Sequence, residues 1–203
     1  AASRAREAQE AFDGTRAYSQ FIERAIAEVG LLLPEGRDGV LNNGAAGKVL
    51  LVIASENGFV GLFNGKLIEH ALEIRQPDEE VVIVGRRGQI TASEHGITED
   101  AFFPMTSRVQ GITALARRIA SRLTDVASAR IVFAQHRPGA AFDVVTKSVL
   151  PFGEISVRAG RVSPVVHIPP VELLSRLASE YLFAEIAHAL MESLACENGA
   201  RMR

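Results

Sequence analysis

Apolar residues recur at every third or fourth position from the start of the chain, at Ala8, Phe12, Tyr18, Phe21, Ile22, Ala25, Ile26 and Val29. That spacing predicts a long amphipathic helix from Ala1 to about Val29. Gly14 within it costs about 1 kcal/mol relative to alanine and implies a bend or a close neighbour. The stretch from Leu33 to Gly47, LPEGRDGVLNNGAAG, is rich in glycine, asparagine and proline and reads as an exposed loop that ends the helix.

The pattern then changes. Val49 to Ala54 is an unbroken aliphatic run, too short for a helix and β-branched in part, as expected of a strand covered on both faces. Leu62 to Arg75 returns to helical spacing through Leu62, Leu67, Ile68, Ala71, Leu72 and Ile74. Val81 to Val84 predicts a second strand ending at the turn Gly85-Arg86-Arg87-Gly88. Thr106 to Thr124 predicts a helix with Ile112, Leu115, Ala116, Ile119 and Leu123 on one side, and Ile131 to Ala134 a third strand. Strands separated by helices imply right-handed crossovers and a mainly parallel, Rossmann-like α/β sheet. Weaker alternation over Phe142 to Leu150 and Ile155 to Val166 predicts a hairpin at the sheet edge.

The final segment has a different character. Pro169-Pro170 and Glu172 suit a helix start. Beyond them Leu173, Leu174, Leu177, Tyr181, Leu182, Phe183, Ile186, Leu190, Met191 and Leu194 point in nearly every direction, so this helix needs both the sheet and another helix to cover it. Both termini lie within helical periodicity, which reads as a fragment of a longer chain.

Composition narrows the function. The 203 residues are 47% hydrophobic and 23% charged, enough for one globular core. A formal net charge of −2 supplies no general attraction to nucleic acid or anionic lipid. No apolar run reaches the roughly 18 residues of a membrane span. The single cysteine, Cys196, excludes an internal disulfide and fits a reducing, cytoplasmic setting.

No motif for chemistry survives inspection. Gly44 to Val49, GAAGKV, would need Gly at position 42 and Ser or Thr at 49 to be a phosphate loop, and has Asn42 and Val49. Gly58, Gly61 and Gly65 do not have dinucleotide spacing; they read as permitting positive φ and close helix-to-sheet approach, with an anion site at the helix start as the alternative. His70, His95, His136, His167 and His188 lack His or Cys partners at i+3 or i+4, so no metal is expected. Ser55 and Glu56, adjacent on a strand, point oppositely and make no nucleophile and base pair. Arg86-Arg87 reads as a solvated basic corner, and Cys196 as a small packed residue. No cofactor is expected.

Three segments, in order, carry a family resemblance. Ala1-Ala2-Ser3-Arg4-Ala5-Arg6-Glu7-Ala8-Gln9 resembles the A-A-S-K-x-[KR]-x-[AS]-Q run in the first helix of the γ subunit of F-type ATP synthases. Ser55-Glu56-Asn57-Gly58-Phe59-Val60-Gly61-Leu62-Phe63-Asn64 is similar to its strand-end motif S-[DE]-x-G-L-C-G-[GSA]-[FLY]-N, through Ser55, Glu56, Gly58, Gly61 and Asn64. Tyr181-Leu182-Phe183-Ala184-Glu185 and Glu192 to Met202, ESLACENGARM, resemble its final-helix signature. Val60 and Leu62 replace the customary cysteine and small residue, Glu7 a basic shaft residue, and Gly199 a better helix former, which marks a divergent branch.

The resemblance implies a central-stalk rotor subunit without an active site, coupling proton- or sodium-driven rotation to ATP synthesis or hydrolysis on partner subunits. It implies an N-terminal shaft helix over 1–32, a central α/β domain over 48–168 and a C-terminal shaft helix over 169–203, the two helices forming an antiparallel coiled coil whose tips are absent. The implied partners are the α and β subunits of the catalytic hexamer, the ε subunit and the membrane carrier ring, at the cytoplasmic face of the inner membrane without insertion. Arg4, Arg6, Gln9, Glu197, Arg201 and Met202 would lie on the shaft near the hexamer, or else solvate a coiled coil. The residues alone also admit an enzyme or small-ligand binder using the Ser55 to Gly61 turn, or a freestanding adaptor.

Overall fold

The computed structural model describes residues 2–33, 46–137, 142–151 and 166–201, with the backbone course alone for 2–13. The elements in chain order are α1 (Ala2–Gly30), β1 (Lys48–Ile53), α2 (Phe63–Ile74), β2 (Glu79–Val84), α3 (Arg86–Glu94), β3 (Ala101–Phe103), a single 3-10 turn (Val109–Gly111), α4 (Ile112–Arg122), β4 (Ser128–Gln135), β5 (Asp143–Leu150) and α5 (Pro170–Arg201).

The strands form one sheet in the order β3-β2-β1-β4-β5. β1 pairs in parallel with β2, Leu51 opposite Val82, and with β4, Leu51 opposite Ile131. β2 pairs in parallel with β3, and β5 closes the edge antiparallel to β4. The chain therefore winds outward from β1 to β3 and then returns to the other side of β1. This is a doubly wound order, with its switch point between the carboxyl ends of β1 and β4.

Side chains alternate across β1 and sort the core into two layers. Val49, Leu51 and Ile53 pack with Ile112, Leu115 and Ile119 of α4, with Leu123 just past its end, and with Leu182, Ile186 and Leu190 of α5. Leu50, Val52 and Ala54 pack with Phe63, Leu67, Ile68 and Ala71 of α2 and Ala92 of α3. Burying each large aliphatic side chain contributes about 1.5–3 kcal/mol, which explains why β1 tolerates no polar residue between Val49 and Ile53. Outside the sheet, Ile22, Ile26 and Val29 of α1 pack on Leu174 and Tyr181 of α5. As the sequence pattern requires, α5 is covered on several sides.

The amino edge of the sheet is fastened electrostatically. Arg130 donates from Nε to Glu79 Oε1 at 2.8 Å and from Nη2 to Glu79 Oε2 at 2.6 Å and the Ile74 carbonyl at 2.9 Å. The Gln76 N–H also donates to Glu79 Oε2. This two-pronged pair spans from β4 to β2 beneath β1, with the Glu79 side chain 1% exposed.

Several expectations require correction. The turn expected at Gly85 to Gly88 is instead a helix start: Arg86-Arg87 open α3, whose few buried residues, Gly88 and Ala92, hide its periodicity. β3 is three half-buried residues that no pattern announces. The helix expected from Thr106 begins at Ile112, because Thr106 to Arg108 form a hydroxyl-capped turn in which the Arg108 N–H donates to Thr106 Oγ1. Gly14 has no close neighbour among the described residues, and α1 passes through it as a continuous helix. The loop expected over 33–47 and the second half of the expected hairpin, 155–166, fall largely outside the described residues.

Candidate functional site

β1 delivers the chain to the switch point, where an open doubly wound sheet would present a ligand crevice. Ser55, 0% exposed, is held on all sides: its N–H donates to Asn64 Oδ1 at 3.0 Å, its hydroxyl donates to the Asn57 carbonyl at 2.9 Å and accepts from Asn64 Nδ2 at 2.8 Å. Its carbonyl accepts from the N–H groups of Arg87 and Gly88 at 3.1 and 3.2 Å. Glu56 points the other way, and its Oε2 accepts from the Arg86 N–H at 3.0 Å and the Met105 N–H at 2.8 Å. The first donors of α3 are thus satisfied from within the chain, and the helix end is closed to an external anion.

The glycines that permit this closeness lie one turn away from those the sequence points to. A Cβ at Gly85, where φ is +101°, would meet the Ser55 carbonyl oxygen at 2.5 Å, and one at Gly88 would meet Ala54 Cβ at 2.2 Å. Gly61 does need its positive φ of +54°, whereas Gly61 and Gly65 have open space around them and Gly58 has only an ordinary contact to Arg87. Phe59 adopts φ +60° and is 97% exposed, with Leu62 also exposed and Val60 tucked inward between them.

The other wall of the crevice is α5. Ser193 accepts the Ala134 N–H at 3.1 Å and donates to the Ile53 carbonyl at 3.4 Å, joining the ends of β4 and β1. Glu192 Oε2 accepts the His136 N–H at 3.1 Å. One turn further, Glu197 is 2% exposed; burial raises its pKa, while Arg201, bonded to it from i+4, and the backbone N–H groups of Asn57 and Glu56 hold it down. Cys196 and Ala200 then reach the second core layer. Helix α5 therefore crosses the carboxyl edge of the sheet and fills the switch point with its own side chains.

α5 is tied to its neighbours by polar links as well. Thr15 Oγ1 donates to the Met191 sulfur at 3.7 Å, Ser19 Oγ donates to the buried Glu185, and Tyr18 donates to Glu180 at 3.0 Å. Rising numbers on α1 meet falling numbers on α5, so the two helices run antiparallel. Glu185 also receives the Lys147 ammonium of β5, and Glu180 receives Arg117 of α4 at 3.3 Å. Tyr181 has a raised pKa through burial and the nearby Glu185 and Glu23 carboxylates.

Little remains for catalysis. The Ser55 hydroxyl is committed to Asn57 and Asn64, and burial pushes the Cys196 thiol up to about 12, so neither is an activated nucleophile. Among the described residues no group of three or more His, Cys, Asp or Glu is placed to hold a metal, and no helix is long and apolar enough to cross a membrane.

Of the residues singled out in the sequence, Ser55, Glu56, Asn64, Glu197 and Arg201 meet at this junction. Arg4, Arg6 and Gln9 lie on the backbone of α1 without described side chains, and Met202 is outside the described residues. Sequence reasoning passed over Glu192 and Ser193 as site residues although they stand in the final-helix signature. It also missed Glu185, Lys147, Glu79 and Arg130, whose partners lie far away in sequence and leave no local signal.

Comparison with known proteins agrees with this architecture. An ATP synthase gamma chain from Clostridium botulinum (strain Kyoto / Type A2) is 26% identical over 170 residues, covering 79% of this chain and 59% of that protein. The gamma chain from Solibacter usitatus (strain Ellin6076) is 24% identical over 215 residues, covering 99% of this chain and 75% of its own length. The chain thus spans 59% of the length of the first relative and 75% of the second. A solved chain described as the central stalk and c-ring of Tetrahymena thermophila mitochondrial ATP synthase shares the fold, with TM-score 0.56, 15% identity and 96% of both chains covered. The ATP synthase family matches residues 1–203 throughout, and the chain belongs to that family as a relative of its gamma chains, the non-catalytic stalk subunits.

Proposed function

We propose that this chain is the rotor shaft of a proton- or sodium-translocating F-type ATP synthase, turning against a catalytic hexamer of α and β subunits. Its span divides functionally into an N-terminal shaft helix (1–32), a central α/β domain (48–168) and a C-terminal shaft helix (169–203). α1 and α5 continue as an antiparallel coiled coil into the hexamer, and the α/β domain meets the ε subunit and the membrane carrier ring at the cytoplasmic face of the membrane. Arg4, Arg6, Gln9, Glu197, Arg201 and Met202 belong to the shaft near the hexamer's lower edge, where Arg201 is held by Glu197.

The observation that carries this reading is the way α5 is fastened. A shaft biases each catalytic site by presenting different contacts in different orientations, and this works only if its helices do not slide under load. Buried hydrogen bonds have one satisfied register, and slipping a helix by a turn leaves their donors and acceptors unpaired at about 1–3 kcal/mol each. Ser19 with Glu185, Ser193 with Ile53 and Ala134, and Glu192 with His136 supply that register. Of these, Ser193 and Glu192 also occupy the crevice that a small-ligand enzyme of this fold would need.

Co-expression with the α and β subunits of the same organism's complex tests the proposal. Purification through a tag on β is expected to bring this chain down in a fixed ratio below one per β, as an axial shaft requires. Recovery of α and β without it would contradict the assignment.

A further inference from the structure

We infer that Glu185 is a specificity key: its buried carboxylate selects one placement of α5 between α1 and β5, among several that apolar burial alone would accept, with little gain in stability. The inference deepens the reading of α5 as a shaft helix and rests on it only for the use made of a fixed placement, since the geometry belongs to the chain by itself.

The need for a key comes from α5. A helix with one apolar stripe has one way to face its core. Helix α5 instead buries Leu182, Ile186 and Leu190 in the layer it shares with α4, and Leu174 and Tyr181 against α1. Ala184, Ala187 and Ala189, all buried, lie among them. Turning such a helix, or sliding it by a turn, exchanges one buried aliphatic side chain for another. Hydrophobic burial is non-directional, so it discriminates weakly among these placements.

Glu185 discriminates strongly. Its side chain is 3% exposed, and each oxygen answers to a different element: Oε1 accepts the Ser19 hydroxyl of α1, and Oε2 pairs with the Lys147 ammonium of β5. Any other placement takes the carboxylate away from one donor or both and leaves a charge in the apolar interior. The desolvation of the carboxylate offsets most of what the pairing returns, which is why such a pair specifies more than it stabilises. A single buried asparagine fixes the register of a coiled coil in the same way. Among the described residues, the apolar contacts of α1 with α5 gather at Ile22, Ile26 and Val29, whereas the links nearer the start of α1, from Thr15 and Ser19, are polar. The key stands where apolar contacts give way.

The whole chain in solution tests this without the hexamer, so the key can fail while the chain still assembles with α and β, and the reverse. Nitroxides on R24C and A195C, at exposed positions of α1 and α5 in a C196A background, report the spacing of the two helices by pulsed dipolar spectroscopy. With the key intact a single narrow distance is expected. K147M alone strands the carboxylate and is expected to lower the thermal midpoint. S19A/K147M/E185M makes the site apolar and is expected to recover most of that loss while a second distance appears, about 5 Å from the first for a slip of one turn. A triple variant that keeps one narrow distance would show that apolar packing sets the placement, and one that stays as unstable as K147M would show that the key only stabilises. Either result overturns the inference. Should the triple variant fail to fold, S19A decides, because it removes only the arm to α1: the second distance is expected, and an unchanged narrow one overturns the inference equally.

Discussion

Asn64, in the first turn of α2, accepts the N–H of Ser55 at 3.0 Å and donates to its hydroxyl at 2.8 Å, so that one amide side chain bonds both the backbone N–H and the hydroxyl of a fully buried residue at the end of β1. Asn64→Ala leaves the Ser55 N–H unpaired and the hydroxyl with its bond to the Asn57 carbonyl alone, and is expected to cost about 1–3 kcal/mol for the stranded N–H. Asn64→Asp loses the donor and buries an unpaired carboxylate, so at neutral pH it is expected to cost at least as much, whereas Ser55→Ala removes only the hydroxyl and is expected to cost less. Urea unfolding of the three variants checks the order.

The Glu79 and Arg130 pair makes a prediction of opposite logic. Arg130→Met strands a carboxylate whose side chain is 1% exposed and is expected to destabilise by about 3–5 kcal/mol. Adding Glu79→Gln to it removes the stranded charge and is expected to restore part of the loss. A double-mutant cycle by denaturant unfolding reads the coupling directly.

Gly88 sets the spacing between α3 and β1. Gly88→Ala places a Cβ 2.2 Å from Ala54 Cβ and is expected to cost about 1–3 kcal/mol through overpacking. Ala54→Gly removes the opposing atom, so the double variant is expected to be more stable than Gly88→Ala alone. Gly85→Ala has no such remedy, because its clash is with the Ser55 carbonyl and its φ is +101°. Comparing thermal midpoints of the three separates side-chain crowding from backbone strain.

His188 predicts a pH dependence. Burial lowers its pKa from 6.5, against the opposing pull of Glu185 and Glu192, with Lys147 and Arg16 adding to the lowering. The unfolded chain therefore takes up a proton as pH falls through 6.5 while the folded chain does not, and stability declines over that window toward the lower folded value. His188→Gln removes this contribution. The gap in urea midpoint between about pH 7 and pH 5.5 is expected to be smaller in the variant than in the wild type.

Cys196 is expected to be inert. With its pKa pushed up to about 12, a thiol reagent at neutral pH should label it only as fast as the chain opens, and at once in denaturant. Rapid labelling of the folded chain would show that α5 does not seal the switch point.

How much of this was written in the sequence depends on the range of the interaction. The run from Val49 to Ile53 and the periodicity of both terminal helices are local, and each predicted its element within a residue or two. α3 was hidden because RRGQITASE buries only Gly88 and Ala92 and so lacks an apolar stripe. The junction itself was half legible: Ser55 and Asn64 stand in one motif and Glu197 and Arg201 in another, yet nothing local says that the two motifs touch. The Ser193 bridge to Ile53 joins residues 140 apart, and the Glu79 bond to Arg130 joins residues 51 apart. Such partners become visible only when the strand order is known.

The central claim is that this chain turns as a rigid shaft within a catalytic hexamer. The direct measurement is single-molecule rotation: α and β subunits assembled with this chain and fixed to a surface, with a bead attached through a cysteine placed at the exposed Glu73 of α2. The account predicts that ATP drives stepwise rotation of the bead in one direction and that rotation stops when ATP is withdrawn. A complex that hydrolyses ATP while the bead stays fixed would contradict it.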